Sequence, residues 1–216
     1  MATFAFVSDF DGTLTQRDFY HIIIDKYLED WGRKYYEDWK RNNKINVEFL
    51  NKIFGSIGRL EEEIREDIHQ IPIDEYAVKF IKKVQAKGGR FYILSAGTSY
   101  YIEILLEHLG IKEVTVISMK GCYKNGGIEI TPDPTSPYYS EVFGLNKRRV
   151  IEDLKKEYDR VFFAGDSEPD LEAAKASDLA FAKSELKELL RREKYKFVPF
   201  EGYRQIDSYM DENGWE

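Results

Sequence analysis

The chain has 216 residues, enough for one large domain or for a core with a smaller inserted unit. Hydrophobic residues make up 43% of it and aromatic residues 15%, a composition too apolar for a disordered chain. The formal net charge is -7, which argues against a general nucleic-acid-binding protein because such proteins are usually basic.

In chain order, five apolar, β-branched and aromatic runs predict buried strands. These runs lie at 4–7, 90–94, 114–117, 161–164 and 179–182. Helical patterns follow Asp74, Thr98 and Asn146, and a terminal helix is predicted from Tyr203. This alternation predicts an α/β fold in which helices cover both faces of a mainly parallel sheet.

Two stretches interrupt the alternation. Residues 18–69 have a helical pattern throughout, which predicts a small helical cap inserted after the first strand, with the chain returning near Pro72. Residues 119–143 contain the turn signal Asn125-Gly126-Gly127 and three prolines, which predict a short hairpin and an extended loop. The predicted division is a core of residues 1–17 and 73–216 and a cap of residues 18–72.

Aromatic residues recur at helical spacing in the cap. Such spacing is more typical of packing than of ligand stacking, and we interpret the following residues in that way: Tyr27, Trp31, Tyr35 and Trp39. Tyr100 and Tyr101, after the second predicted strand, are also interpreted as packing residues.

Polar clusters follow three of the predicted strands, at residues 8–13, 95–98 and 165–170. Ligands of open α/β sheets bind outside the carboxyl ends of the strands, so we expect these clusters to converge there. Asp9 and Asp11 stand two positions apart, which puts their side chains on one side of an extended segment. With Asp166 they make an oxygen-rich set that suits Mg²⁺ better than zinc, since no Cys or His ligands accompany it.

The second cluster predicts a phosphate site. Ser95, Ala96 and Gly97 offer a hydroxyl group and close backbone approach just before a predicted helix, whose first N–H groups bind phosphate well. Lys147, at the start of another predicted helix, supplies a positive charge. Carboxylates, a metal ion and a phosphate site together predict phosphoryl transfer.

Four sequence segments, in order, resemble the motifs of the haloacid-dehalogenase-like hydrolases. They are Asp9-Phe10-Asp11-Gly12-Thr13, Ser95, Lys147 and Gly165-Asp166-Ser167-Glu168-Pro169-Asp170. The resemblance implies a Rossmann-like, three-layer core with a cap. It also implies a two-step mechanism, in which Asp9 attacks phosphorus to form an aspartyl-phosphate and Asp11 protonates the leaving oxygen and then activates water.

The same resemblance implies roles for the other site residues. Mg²⁺ would be held by Asp9, the backbone carbonyl of Asp11 and Asp166. Ser95 and the Gly97 amide would bind phosphoryl oxygens, and Lys147 would neutralise charge. Asp170 would orient Lys147 or a metal-bound water, and Thr13 would support the first loop.

Within this superfamily, Asp18, nine positions beyond Asp9, makes the chain similar to the phosphoserine-phosphatase-like branch. The Ser-x-Gly motif before two aromatic residues and the run 165–174 resemble the methionine-salvage phosphatases, which hydrolyse 2-hydroxy-3-keto-5-methylthiopentenyl-1-phosphate. Phosphoserine phosphatases usually have Glu where Asp18 stands and Gly where Ala96 stands. Asp18 suits equally a substrate-binding residue and the N-cap of the following helix.

We therefore expect a Mg²⁺-dependent phosphatase for a small-molecule phosphate ester, with no nucleic-acid or membrane partner, as a monomer or homodimer. A phosphoserine phosphatase or a phosphotransferase such as a mutase stays open as an alternative, and a non-catalytic phospho-ligand sensor is the alternative from another class.

The apolar runs are too short to span a membrane. The lack of a secretory signal after Met1 and the single cysteine, Cys122, predict a cytoplasmic location.

Overall fold

A seven-stranded sheet forms the centre of the computed structural model, which describes residues 3–215 except for the Asn42 side chain. The strands are β1 (Phe4–Ser8), β2 (Arg90–Thr98), β3 (Val114–Lys124), β4 (Gly127–Thr131), β5 (Tyr139–Ser140), β6 (Gly144–Leu145), β7 (Arg160–Gly165), β8 (Leu179–Ala182) and β9 (Val198–Pro199). The sheet order is β4-β3-β2-β1-β7-β8-β9, and β5 and β6 pair separately. Neighbouring strands in the main sheet are parallel except for the antiparallel β3–β4 pair. The predicted α/β class with a mainly parallel sheet is confirmed.

The helices are α1 (Phe19–Ile23), α2 (Glu29–Asn42), α3 (Val47–Phe54), α4 (Glu61–His69), α5 (Ala77–Ala86), α6 (Ser99–His108), α7 (Lys147–Leu154), α8 (Leu171–Ala176), α9 (Ser184–Arg192) and α10 (Tyr203–Asn213). The predicted helices after Asp74, Thr98 and Asn146 correspond to α5, α6 and α7. Thr98 Oγ1 accepts a hydrogen bond from the Tyr100 N–H, and Asn146 Oδ1 accepts one from the Arg149 N–H, so both residues act as N-caps. Within residues 3–215, no helix is both long and apolar enough to cross a membrane.

The central strand β1 is buried on both faces, which explains its unbroken apolar sequence. Phe4 and Phe6 belong to one apolar cluster, whereas Ala5 and Val7 belong to a cluster on the opposite face of the sheet. Successive side chains of a strand point to opposite faces, so β1 joins the two helical layers through its own side chains.

The helical segment lies between β1 and α5, as predicted, and comprises α1 to α4. Its entry and exit run side by side, since Thr15 bridges Ile73 and the Gln16 N–H donates to the Pro72 carbonyl at 2.8 Å. This pairing holds α1, which follows the first polar cluster, next to the carboxyl ends of the strands. The division at residues 17/18 and 72/73 stays a prediction.

The predicted interruption after β3 is a hairpin. Lys124 pairs with Gly127, and the two residues between them, Asn125 and Gly126, both have positive φ values, of 49° and 82°. Two positive φ values in a two-residue loop are typical of a type I′ turn, which matches the twist of the flanking strands. The strand β3 therefore continues to Lys124, well beyond its predicted end at residue 117.

Candidate active site

The three predicted polar clusters converge at one edge of the sheet, because β2, β1 and β7 are neighbours and end on the same side. A cavity of about 420 Å³ opens there. The predicted site residues that line it are Asp9, Asp11, Asp18, Ser95, Ala96, Gly97, Lys147 and Asp166. Thr13 and Asp170 are buried behind this layer and contact it by hydrogen bonds.

Lys147 forms a buried ion-pair network at the base of the cavity. Its Nζ donates to Asp9 Oδ1 and to Asp170 Oδ1, each at 2.6 Å, and its side chain is only 2% exposed. The other oxygen of Asp170 accepts from the N–H groups of Asp166 and Ser167, at 2.9 and 3.2 Å. Asp170 therefore holds both the ammonium group and the turn that carries Asp166.

Carboxylate oxygens gather beside this network. One oxygen from each of Asp9, Asp166 and Asp170 lies within 4.8 Å of the others. Thr13 Oγ1 donates to Asp166 Oδ1 at 3.0 Å, so the first motif contacts the fourth. Gly12 allows this approach, because it has a φ of 75° and a Cβ at that position would lie 2.6 Å from Asp166 Oδ2.

These oxygens fit a divalent metal ion. Burial, together with the negative charge of Asp170, raises the pKa of Asp9 to about 7. Burial, together with the negative charge of Asp9, raises the pKa of Asp166 to about 9. A bound cation offsets this repulsion, and an all-oxygen donor set suits a hard ion. Both Asp170 oxygens already accept hydrogen bonds, so Asp9 and Asp166 are the side chains best placed to bind the ion.

The Asp11 carboxylate faces away from this oxygen cluster. Its Oδ1 accepts from the Phe19 N–H at 3.0 Å, and its Oδ2 accepts from the Tyr101 hydroxyl at 2.5 Å. Burial, together with the negative charge of Asp18, raises the pKa of Asp11 to about 7. Both carboxylate oxygens of Asp11 therefore accept hydrogen bonds from groups outside the oxygen cluster.

Asp11, and not Asp18, accepts the hydrogen bond from the first N–H group of α1. Asp18 directly precedes α1, but its side chain accepts no capping hydrogen bond from the backbone N–H groups of that helix, so its interpretation as a side-chain N-cap is wrong. Its carboxylate instead lines the cavity, with Oδ1 2.9 Å from the position that a Cβ on Gly12 would take. Because Asp11 caps the helix, the Asp18 carboxylate is left to face the cavity.

The predicted phosphate site is a bulge in β2. Leu94 pairs with Ile117 and Thr98 with Met119, so three residues of β2 face one residue of β3. The extra residues push Ser95, Ala96 and Gly97 towards the cavity. The Gly97 N–H donates to Ser95 Oγ at 2.9 Å, which keeps the segment in a tight turn ahead of α6.

The helical segment supplies the wall opposite the carboxylates, and most of this wall was not predicted. The cavity-wall residues are Tyr20, His21, Tyr36, Lys40, Asn43, Lys44, Ile45, Asn46 and Leu50. In the cavity as the structure describes it, Tyr27, Trp31, Tyr35 and Trp39 take no part, and Tyr35 stacks on Phe49 instead. The helical spacing was visible in the sequence, but tertiary packing determines which face meets the cavity.

Two further contacts were missed. Tyr101 packs as predicted, but its hydroxyl reaches Asp11 inside the cavity. Lys44 Nζ pairs with Glu168 Oε1 at 2.5 Å, which links the helical segment to the Asp166 turn at the cavity. In both contacts the two residues are far apart in sequence, so the spacing of residues within a motif does not predict them.

Comparisons with known proteins identify the family and relate the fold to solved structures. A model of the haloacid dehalogenase-like hydrolase family matches residues 6–175. A 2-hydroxy-3-keto-5-methylthiopentenyl-1-phosphate phosphatase of Exiguobacterium sp. is 26% identical over 213 residues, covering 94% of this chain and 95% of that protein. One of Bacillus velezensis is 26% identical over 212 residues, covering 96% and 90%. A phospho-aspartyl intermediate analogue of phosphoserine phosphatase has a similar fold, with a TM-score of 0.68 at 19% identity over 95% and 97% of the two chains.

Proposed function

Since this chain belongs to the haloacid dehalogenase-like hydrolase family, we propose that it transfers the phosphoryl group of a small phosphomonoester to Asp9 and then to water. One observation carries the proposal: Lys147 Nζ lies 2.6 Å from Asp9 Oδ1 in a cavity that Asp11 also lines. The arrangement joins a nucleophile, a fixed positive charge and a second carboxyl group. Phosphatase is also the activity in the names of the relatives.

In the first step, an Asp9 oxygen attacks phosphorus and the bond from phosphorus to the ester oxygen breaks. The electron pair of that bond stays on the leaving oxygen, which takes the proton of the Asp11 carboxyl group. Lys147 holds Asp9 Oδ1, which leaves Oδ2 as the attacking atom. The products are an aspartyl-phosphate, the free alcohol and an Asp11 carboxylate.

In the second step, the Asp11 carboxylate takes a proton from a water molecule whose oxygen attacks phosphorus. The bond between Asp9 and phosphorus breaks, which restores the Asp9 carboxylate and releases phosphate. A pKa of about 7 suits Asp11 for both steps, because the group gives and takes a proton near neutral pH.

A divalent metal ion, when bound, supplies positive charge that offsets the negative charge of the phosphoryl group. We propose Mg²⁺, held by the carboxylates of Asp9 and Asp166 and the backbone carbonyl of Asp11, since these donors are all oxygen atoms. Ser95 and the Gly97 amide would bind phosphoryl oxygens, and Asp170 would keep Lys147 directed at Asp9. Thr13 would hold Asp166 through their hydrogen bond.

For the substrate we propose 2-hydroxy-3-keto-5-methylthiopentenyl-1-phosphate, which the relatives' names specify. The cavity has both kinds of surface that such an ester needs. Ile45, Leu50 and Phe143 offer apolar contact for a methylthio tail, and Asp18 and Lys40 offer polar contact for its oxygens. Phosphoserine lacks an apolar tail, so this lining favours 2-hydroxy-3-keto-5-methylthiopentenyl-1-phosphate, which we call the salvage ester.

We further propose that residues 18–72 act as a cap that selects the leaving group and keeps bulk water away from the aspartyl-phosphate. The support is that this segment supplies the cavity-wall residues. A cytoplasmic location is proposed from the single cysteine, Cys122, which is exposed and therefore better kept in a reducing compartment.

Phosphate release from a panel of esters tests the proposal. The panel holds the salvage ester, phosphoserine and simple alkyl phosphates, each with Mg²⁺ or with EDTA and without any added acceptor alcohol. We expect metal-dependent release, fastest from the salvage ester, and a loss of at least about 1,000-fold in Asp9→Asn. Asp159→Asn, which changes an exposed carboxylate, is the matched control.

A folded wild-type protein that releases phosphate from no ester would contradict the hydrolase function. Transfer to an added alcohol would then identify a phosphotransferase, and tight binding without turnover would identify a sensor.

A further inference from the structure

We propose that Tyr101 is a positioning residue for the reaction, whose hydroxyl group holds the Asp11 carboxyl group in the orientation from which it protonates the leaving oxygen. The inference rests on the proposed function, in which Asp11 is the acid and base. It gives a role in the reaction to a residue that the sequence analysis interpreted only as a packing residue, in the aromatic pair after the Ser-x-Gly motif.

The Tyr101 ring is fixed by packing. Tyr101 is only 2% exposed. The centroid of its ring lies 5.0 Å from the ring centroid of Phe19, 5.9 Å from that of Phe10 and 6.0 Å from that of Phe54. Phe10 directly precedes Asp11 on the turn after β1, and Phe19, whose N–H donates to Asp11, begins α1. Because the ring is held from these sides, its hydroxyl has a fixed place beside Asp11.

The hydroxyl enters the cavity at the phosphate site. A Cβ on residue 97 would lie 1.8 Å from the Tyr101 hydroxyl oxygen and 3.1 Å from Asp11 Oδ2. Real atoms do not approach so closely, so the contact between Tyr101 and Asp11 depends on glycine at position 97. The hydroxyl therefore lies between the bulge of β2 and the Asp11 carboxyl group.

Two donors together determine the orientation of Asp11. The Tyr101 hydroxyl donates to Oδ2 at 2.5 Å, and the Phe19 N–H donates to Oδ1 at 3.0 Å. A carboxyl group with one such bond still turns about its Cβ–Cγ bond, whereas a donor on each oxygen opposes that rotation. Proton transfer depends on this alignment, because the acid must lie within hydrogen-bond reach of the leaving oxygen.

The experiment compares Tyr101→Phe with Tyr100→Phe. Both remove one hydroxyl and keep the ring, but the Tyr100 hydroxyl donates to Glu61 Oε1 at 2.9 Å and does not line the cavity. The readout, with Mg²⁺ present, is the pre-steady-state release of the leaving group: phenol from phenyl phosphate and 2,4-dinitrophenolate from 2,4-dinitrophenyl phosphate. Dinitrophenolate leaves without a proton, whereas the unsubstituted phenolate needs one.

We expect Tyr101→Phe to release phenol from phenyl phosphate about 10- to 100-fold more slowly, which is part of the roughly 100- to 10,000-fold that general acid catalysis contributes. Release from the dinitrophenyl ester should change by less than about 3-fold, and Tyr100→Phe should stay within about 2-fold of wild type on both esters. In an Asp11→Asn background, Tyr101→Phe should cause no further loss on phenyl phosphate, because its partner is gone.

Three results for Tyr101→Phe would overturn the positioning role. They are an equal loss of release rate on both esters, no loss on either ester, and a full additional loss in the Asp11→Asn background. If wild type releases a phenol from neither aryl ester and phosphate from no ester of the panel, the proposed function itself fails. An active wild type with an unaffected Tyr101→Phe contradicts only the inference about Tyr101.

Discussion

The side chain of Lys147 illustrates how much a single residue contributes to this site. Its ammonium group is buried between Asp9 and Asp170 and bonds to both at 2.6 Å. A buried charge is tolerated only when it is paired, so the lysine and the two carboxylates depend on one another.

Replacing Lys147 by Met should therefore affect both stability and activity. Two buried carboxylates lose their cation, and we expect the free energy of unfolding to fall by about 3–5 kcal/mol near pH 8. The loss should shrink towards pH 5, because Asp9, whose pKa is already raised to about 7, then takes up a proton and no longer needs the cation. Phosphatase turnover should fall by at least about 100-fold.

Urea unfolding at several pH values measures this effect, with Lys156→Met as the control because that lysine is 74% exposed. A Lys147→Met protein as stable as wild type at pH 8 would contradict the expectation.

Secondary-structure elements position these residues through two kinds of contact, the core packing beneath the site and an ion pair at its mouth. Phe6 on β1 is completely buried, and its ring contacts those of Phe80, Phe91, Phe162 and Phe181. Strand β1 leads directly into the turn that carries Asp9 and Asp11, so this packing supports the catalytic loop.

Truncating Phe6 to Ala should lower the free energy of unfolding by about 3–5 kcal/mol, because a large cavity opens between the sheet and its helices. Urea denaturation at pH 7 measures the change. Val142→Ala is the control, since Val142 is 47% exposed and should cost less than about 0.5 kcal/mol. A small effect of Phe6→Ala would mean that the core collapses around the truncated residue.

The ion pair between Lys44 and Glu168 joins the α2–α3 loop to the turn that carries Asp166. Its side chains are 52% and 39% exposed, so the pair should contribute no more than about 1 kcal/mol to stability. A weak link at the mouth of the cavity nevertheless affects how well the helical segment closes over a substrate.

Replacing Glu168 by Gln should thus leave the thermal midpoint nearly unchanged but raise KM about 2- to 5-fold at low salt. The wild-type KM should rise towards the variant's value as salt screens the pair. Steady-state kinetics at low and high ionic strength measure this, and Glu172→Gln, an exposed carboxylate on α8, is the control. Equal salt dependence in wild type and Glu168→Gln would exclude the ion pair as the cause.

The stability of the whole molecule should depend on pH through its buried carboxylates. Asp9, Asp11 and Asp166 have pKa values raised to about 7, 7 and 9 from 3.8, so between pH 4 and 9 the metal-free folded state binds more protons than the unfolded state. The free energy of unfolding should therefore fall as pH rises through this range. A bound divalent ion opposes the fall because it replaces protons at the oxygen cluster.

Thermal unfolding in EDTA and in Mg²⁺, from pH 5 to pH 8, measures this dependence. We expect Mg²⁺ to raise the midpoint more at pH 8 than at pH 5, and Asp166→Asn to lose most of that difference. A midpoint in EDTA that rises with pH, or a Mg²⁺ effect that is the same at both pH values, would contradict the assignment of the oxygen cluster as the metal site.

Local sequence patterns predicted strands β1, β2, β3, β7 and β8, helices α5, α6, α7 and α10, and the polar residues at the strand ends. Runs such as 161–164 and 179–182 are apolar on both faces, as a buried parallel strand requires. Thr98 and Asn146 mark helix starts, because their side chains accept hydrogen bonds from N–H groups within the next three residues. The parallel sheet then places Asp9, Ser95 and Asp166 at one edge. Each of these inferences depends on neighbours in sequence or on a general property of parallel sheets.

Tertiary structure alone decided the contacts between distant segments. The orientation of Asp11 depends on Phe19 and on Tyr101, 90 positions away, and the exposure of Asp18 to the cavity follows from it. Likewise, the sequence showed that α2 is amphipathic, but only packing turned Tyr36 and Lys40 towards the cavity and Tyr35 towards Phe49. Side-chain directions of this kind result from the simultaneous packing of many residues, and a linear pattern does not contain them.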